Sequence, residues 1–249
     1  MEETFKEEGV SIYCRAQVKR IENCPKGKRV VFFSEGSDKE LEAEAVAICV
    51  GFKPNIEGLG LEECGVEVEG GRIKVNERME TSSPGIYAAG DVIGGMMLAY
   101  VGFAEGMVAA ENALGIDSRM DYQVMPQCIF TSPEVSSVGL TEEEALKRGY
   151  ELKVGRFPFL ANGMANILGE RRGLVKIIAE RRYGQMLGVH IIGPGATSLI
   201  QEVALLMKLE GTAEDIIATL HPHPNLSEAI WEAALDIYGR TLHFSSQNR

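Results

Sequence analysis

The feature that most constrains the fold is a nearly continuous apolar run, Ala43–Val50, which ends at Gly51. A strand with one wet face alternates apolar and polar residues, whereas a strand covered on both faces is apolar throughout. The run therefore predicts a strand buried on both faces. With 249 residues, of which 45% are hydrophobic, the chain is long enough for one large domain or two modest ones.

The residues before this run also predict strands. Gly9–Cys14, Ala16–Cys24 and Lys28–Ser34 are short, and the first and third are rich in β-branched and aromatic residues. Pro25–Lys26–Gly27 separates the last two stretches as a hairpin loop would.

The middle of the chain contains the stretch TSSPGIYAAGD. Its apolar part, Ile86–Ala89, predicts a short strand that stops at Gly90 and Asp91, and Leu98–Leu114 predicts a helix. A carboxylate at the carboxyl edge of a sheet lies where ligands bind, and glycine lets the backbone approach a ligand closely. The alternative is a turn with an aspartate cap.

The last part of the chain alternates strands and helices, which indicates an α+β domain. Thr141 and Glu144 have the spacing of a capping box. Leu174–Ala179 and Gln185–Ile192 predict the two strands of a hairpin. Two helices are predicted at Ala196–Leu209 and Ser227–Tyr238.

The strongest local signal is HPHPNLSE, which runs from His221 to Glu228. Prolines restrict the backbone, and a carboxylate five residues after His223 can orient that imidazole as a general base. The alternatives are a plain structural loop and half of a metal site. A metal would need a third ligand, for which only the distant His190 and His243 offer imidazoles, so no metal is predicted.

Charge and cysteine content narrow the class of protein. The net charge of −11 argues against nucleic acid as a partner. The chain lacks an apolar run long enough for a membrane span, and its acidic, polar start is unlike a secretory signal, so a cytoplasmic protein is expected. The five cysteines have no CxxC spacing, and we expect reduced, mostly buried thiols.

Three motifs together resemble the pyridine nucleotide–disulfide oxidoreductase family. HPHPNLSE is similar to the family element HxHPTLSE, TSSPGIYAAGD to its second flavin motif, and VGFKPN to its VGRxPN turn. The resemblance implies an α/β and α+β architecture. Residues 1–51 would be the end of the NAD-binding domain, 52–118 the returning segment of the FAD-binding domain, and 119–249 the interface or dimerisation domain.

The resemblance also implies roles for individual residues. Asp91, after Gly90, would bind the FAD ribityl chain. His223 would be the general base, and Glu228 would orient it. The backbone near the flavin ring would be that of Met97, Leu98 and Ala99.

The family reaction favoured by the HPHP spelling and the LSE ending is oxidation of dihydrolipoamide with NAD⁺ through FAD and a redox disulfide. Both GxGxxG motifs and the CxxxxC disulfide are absent from the 249 residues, so a fragment is expected that binds neither cofactor alone. The expected partners of the whole enzyme are a second copy and the lipoyl domains of 2-oxo acid dehydrogenase or glycine cleavage complexes. Alternatives are a non-catalytic dimerising module and a parent that acts on glutathione, coenzyme A or another disulfide.

Several positions depart from the family pattern. Asn225 replaces the threonine of HPTLSE, Phe52 replaces the arginine of VGRxPN, and Tyr100 stands where many members have histidine. The terminal SSQNR lacks the paired cysteines of mercuric reductases. One face of the last helix is either a dimer contact or part of the chain's own core, and it consists of Ile230, Trp231, Ala234, Leu235 and Tyr238.

Overall fold

The structure is a computed structural model that describes residues 1–244, so the SSQNR terminus lies outside the described residues. The fold is mixed α/β. The elements in chain order are α1 (Glu2–Glu7), β1 (Gln17–Cys24), β2 (Gly27–Ser34), β3 (Ser37–Ala43), β4 (Val68–Glu69), β5 (Arg72–Ile73), α2 (Ala99–Ala113), β6 (Gln127–Ile129), β7 (Glu134–Gly139), α3 (Glu142–Lys147), β8 (Leu152–Pro158), α4 (Gly163–Leu168), β9 (Leu174–Glu180), β10 (Met186–Gly193), α5 (Ala196–Lys208), α6 (Ala213–Ala218) and α7 (Glu228–Asp236).

The first part of the chain is an antiparallel sheet in the order β1-β2-β3. The predicted hairpin is confirmed, since Cys24 pairs with Gly27 across the turn. The prediction of a strand at Gly9–Cys14 is wrong, because this stretch carries no strand and follows α1. The third strand was not predicted, because its sequence SDKELEA is mostly charged and polar.

The prediction of a buried strand at Ala43–Val50 is also wrong. Only Ala43 belongs to a strand, as the last residue of β3, and the rest of the run forms none. Val50 is 91% exposed. A strand buried on both faces needs a partner strand and covering layers, and no described strand pairs with residues 44–50.

The middle part has a small core of its own around α2. The buried apolar side chains include Val66, Ile73, Met79 and Val108. The helix predicted at Leu98–Leu114 is confirmed as α2. The strand predicted at Ile86–Ala89 is reduced to a single bridge between Glu80 and Tyr87, after which Gly90–Ile93 forms a 3₁₀ turn.

The last part is built on a five-stranded antiparallel sheet in the order β6-β7-β10-β9-β8. Alternating residues of the central strands, such as Val175, Ile177, Val189 and Ile191, are fully or almost fully buried beneath α5 and α7. On the other face, Ile178 packs against α3. The capping box of α3 is confirmed at Thr141 and Glu144. The chain after α6 includes α7, which packs on this sheet.

The apolar face of α7 packs mainly into the chain's own core. Ile230 and Ala234 are fully buried, and Leu235 is buried as well. Trp231 is half-buried, and its indole Nε1 donates to the Ile217 carbonyl at 3.1 Å. Of the two alternatives for this face, packing into the chain's own core is therefore the one that the structure shows.

The five cysteines are free thiols, as expected, but the prediction that most are buried is wrong. The three exposed cysteines are Cys14, Cys49 and Cys64, and the two half-buried ones are Cys24 and Cys128. Among residues 1–244, no helix has the length and apolar content to cross a bilayer.

Candidate functional site

The histidine loop, residues 219–227, connects α6 to α7. Two of its residues are prolines, and the His223–Pro224 peptide is cis. Proline fixes φ and so limits the conformations of the intervening residues. The loop thus presents its imidazoles on a restrained backbone.

His223 and Glu228 meet as the sequence predicts. The Nδ1 atom of His223 lies 2.8 Å from Oε1 of Glu228. The His223 side chain is 73% exposed, whereas that of Glu228 is 16% exposed. Because Nδ1–H donates a hydrogen bond to the carboxylate, a neutral ring keeps its acceptor lone pair on the other nitrogen, Nε2.

Glu228 is held as an anion by its surroundings. Burial raises its pKa, but hydrogen bonds from His223 and from the Asn225 amide outweigh burial, so the pKa of Glu228 lies below its ordinary value of 4.5. The Asn225 amide donates to Oε2 at 2.8 Å. Each carboxylate oxygen therefore has its own donor, which fixes the direction from which the acid faces the ring.

Asn225 braces the loop on both sides. Its side-chain oxygen accepts from the Ser227 amide and the Ser227 hydroxyl, each at 3.0 Å. Its carbonyl accepts from the buried Asn162 side chain at 3.0 Å. An asparagine oxygen can thus form the local turn at the start of α7.

His223 lines a groove of about 320 Å³. Its apolar walls are the side chains of Ile217, Leu220, Trp231 and Leu242, and its polar residues are Thr219, His221, His223, Glu228 and His243. The loop continues into α7 at one end of the groove. An alkyl chain that carries a polar reactive end matches this combination of walls and imidazoles.

Two further histidine–glutamate pairs border the groove, and the sequence did not reveal them. His221 pairs with Glu202 of α5, and His243 pairs with the buried Glu232 of α7. A glutamate within the apolar pattern of α7 was a usable signal for the second pair. The first pair joins residues 19 positions apart, which no local pattern indicates.

The predicted flavin motif occupies a different part of the molecule. Gly90 has φ +77° and opens the 3₁₀ turn that contains the exposed Asp91. Met97 and Leu98 are half-buried, and Ala99 is the exposed first residue of α2. The first turn of α2 has no side-chain cap and no acidic residue. The Val101 amide donates to the Leu98 carbonyl, so the amides of Ala99 and Tyr100 are those that an acceptor could reach.

Glu105 was missed by the sequence analysis, although it is an isolated acid in an apolar helix. It is buried, and it accepts from the Gly90 amide and from the Tyr122 hydroxyl, each at 2.8 Å. It also lines a cavity of about 630 Å³ together with Gly94 and Gly95. Glu105 thus joins the Gly90 turn, α2 and the connection to β6.

Within the described part of the chain, no group of three or more metal-binding side chains comes together. His190, one of the two distant candidates, lies in β10 with Nε2 at 3.1 Å from the Leu140 carbonyl. The other, His243, is paired with Glu232.

Two family models match the chain. Residues 1–106 match the family model for pyridine nucleotide-disulphide oxidoreductase, and residues 125–234 match that for the dimerisation domain of the same proteins. The chain is 47% identical over 209 residues to a dihydrolipoyl dehydrogenase of Thermus scotoductus, a match covering 84% of this chain and 45% of the relative. It is 37% identical over 247 residues to a dihydrolipoyl dehydrogenase of Mycobacterium leprae, a match covering 98% of this chain and 53% of the relative.

Solved structures show the same likeness. LpdA from Mycobacterium tuberculosis superposes with a TM-score of 0.84 at 31% identity, over 94% of this chain and 50% of that one. The flavoprotein disulfide reductase RclA from Escherichia coli superposes with a TM-score of 0.85 at 27% identity, over 93% of this chain and 52% of that one. The chain spans about half the length of the curated relatives it matches. The chain belongs to the pyridine nucleotide–disulphide oxidoreductase family.

Proposed function

We propose that this chain is the C-terminal half of a dihydrolipoamide dehydrogenase and that His223 is the general base for the thiol substrate. The observation that carries the proposal is the 2.8 Å contact between His223 Nδ1 and Glu228, on a His223 side chain that is 73% exposed. The dihydrolipoyl dehydrogenases among the relatives support the lipoamide branch.

The chemistry asked of the pair is removal of a thiol proton. The thiolate is the nucleophile in disulfide exchange, and a free thiol is mostly protonated near neutral pH. His223 Nε2 takes the proton, and Glu228 stabilises the imidazolium that forms. Over the whole reaction dihydrolipoamide loses two electrons and two protons, and NAD⁺ accepts a hydride to give NADH, lipoamide and H⁺.

The residues around Gly90 fit a bound flavin. A Cβ placed on Gly90 or Gly95 would meet no atom within 4 Å, so the backbone there faces open space. Asp91 would hold hydroxyls of the ribityl chain, and the open first turn of α2, at Leu98 and Ala99, would face the ring near Met97. FAD, when bound, supplies the two-electron carrier between thiol and NAD⁺.

The division of the chain follows from this assignment. We assign residues 1–51 to the end of the NAD-binding domain, 52–118 to the returning FAD segment and 119–249 to the interface domain. The separate cores around α2 and around the five-stranded sheet support the second boundary. The whole enzyme is a homodimer whose partners are the lipoyl domains of 2-oxo acid dehydrogenase or glycine cleavage complexes. Cytoplasmic localisation stays a prediction.

The test joins this chain to the N-terminal half of the Thermus scotoductus relative and introduces His223→Gln. Reduction of the flavin by NADH should persist, because it does not use the base, while oxidation of dihydrolipoamide should fall by about 10²–10⁴-fold. His190→Gln is the matched control, since this imidazole lies in β10 outside the groove. Equal loss of both half-reactions, or none, would contradict the assigned role.

A further inference from the structure

His221 differs from His223 in both burial and bonding, although one proline separates them. Its side chain is only 5% exposed. The Nδ1 atom lies 3.0 Å from the Thr219 carbonyl, and the Nε2 atom lies 2.9 Å from Oε1 of Glu202. Both ring nitrogens of His221 are therefore engaged, whereas His223 has one engaged nitrogen.

The two partners of His221 determine its protonation. A backbone carbonyl can only accept a hydrogen bond, so Nδ1 carries a proton. The Glu202 Oε1 atom lies 2.9 Å from Nε2, and a carboxylate without a proton likewise only accepts. Nε2 then carries a proton as well, and an imidazole with two protons is a cation.

The other charged groups around the ring agree with a cation. The hydrogen bond to Glu202 raises the pKa of His221, burial opposes this, and the charges of Glu202 and Glu228 and the Thr219 carbonyl raise it further. These groups come from α5, α7 and the loop itself. His223 and His243 line the same groove and are the imidazoles whose protonation would oppose a charge on His221.

We infer that His221 is a positioning residue, a fixed imidazolium that ties the start of the histidine loop to α5 so that His223 is held for proton transfer. The inference rests on the function proposed above. A neutral ring has a single N–H and can satisfy only one of the two acceptors. Loss of the proton therefore releases either the Thr219 carbonyl or Glu202, and the loop loses one of its anchors.

The anchoring is consistent with the other end of the loop. There the Asn225 amide is held by Glu228 and the Asn225 carbonyl by Asn162. His223 lies between these contacts and the His221 clamp. A base held from both sides keeps its Nε2 in one direction, and displacement of a reacting group by about 1 Å costs up to about 100-fold in rate.

The test measures ring protonation in the chain itself, which has four histidines. Long-range ¹H–¹⁵N correlation spectra at about pH 7.5, above the ordinary histidine pKa of about 6.5, should show two protonated nitrogens in His221. Glu202→Gln should convert His221 to a neutral ring at that pH. Glu232→Gln, which removes the partner of His243 in the same groove, is the control and should leave the His221 signals unchanged.

A neutral His221 in the unaltered chain at that pH would overturn the inference, and so would a charged His221 that persists in Glu202→Gln. The unaltered chain decides the first point even where the variant does not fold.

The positioning role is read separately in the joined enzyme described above. Glu202→Gln should lower kcat for dihydrolipoamide by up to about 100-fold with little change in KM or in flavin reduction by NADH, and Glu202→Asp should recover part of the loss. An unchanged kcat would refute the positioning role alone. Failure of the proposed function would instead leave His223→Gln without effect on thiol oxidation.

Discussion

Gly155 of β8 sets how closely α7, the helix that carries Glu228, approaches the sheet. A Cβ at this position would lie 1.9 Å from the Ala233 carbonyl oxygen and 2.8 Å from Cγ1 of Ile237. Real Cβ contacts are essentially never shorter than 3.0 Å, so Gly155→Ala must move the helix or the strand by at least 1.1 Å, which is the difference between 3.0 and 1.9 Å.

The cost follows from the packing of α7. Ile230, Ala233 and Ala234 are fully buried against the sheet, so a displacement of the helix also loosens their contacts. Overpacking of a dense core costs about 1–3 kcal/mol, which is a large part of a typical stability of about 5–15 kcal/mol. We expect Gly155→Ala to lower the free energy of unfolding by about 1–3 kcal/mol.

The assay is urea unfolding followed by fluorescence, because Trp231 is the single tryptophan and lies on α7 itself. Gly163→Ala is the matched control in the same part of the chain, since its Cβ would lie 4.0 Å from His223 Cε1 and from Pro224 Cβ, an ordinary contact. Its stability should change by less than about 0.5 kcal/mol. A Gly155→Ala protein as stable as the control would refute the reasoning.

Two other substitutions test buried and acid-sensitive contacts. Glu105→Gln should lower the free energy of unfolding by about 1–3 kcal/mol, because an amide NH₂, which donates, replaces one of the two oxygens that accept from Gly90 and Tyr122. Circular dichroism in urea measures this, and a loss below about 0.5 kcal/mol would be the contrary result. The hydrogen bond from Lys176 lowers the pKa of Glu142 below 4.5, against burial. The stabilisation of the folded chain by ionised Glu142 is therefore fully present above pH 4.5 and is lost as the pH falls through the lower pKa of the folded state. In thermal scans from about pH 7 to 3, the Lys176→Gln protein should begin to lose stability to acid at a higher pH than the unaltered chain. Melting curves of the two proteins that superimpose at every pH would count against this linkage.

Much of the fold could be predicted because local physics decides it. The capping box at Thr141 and Glu144 and the helix at Leu98–Leu114 depend on side chains within a few residues of one another. The hairpins that join β1 to β2 and β9 to β10 depend on short turns between neighbouring strands. The pairing of His223 with Glu228 was predictable for the same reason, since five residues and a helix start bring the two side chains together.

What failed in the sequence reasoning depended on long-range partners. The apolar run Ala43–Val50 has the composition of a buried strand, but burial needs neighbouring strands and covering layers that the described residues do not provide. Cysteine burial failed in the same way, since composition indicates a preference for the interior and says nothing about which surfaces exist.

The sequence by itself determined the family, the order of its motifs and the pairing of His223 with Glu228, because each of these depends on a short, contiguous stretch of residues. The tertiary structure alone decided that His221 is clamped by Glu202, that Glu105 holds the Gly90 turn, and that Gly155 lets α7 lie close to the sheet. Each of these contacts joins residues at least 15 positions apart. Electrostatic and steric contacts at such separations exist only after the backbone has been folded around a common core.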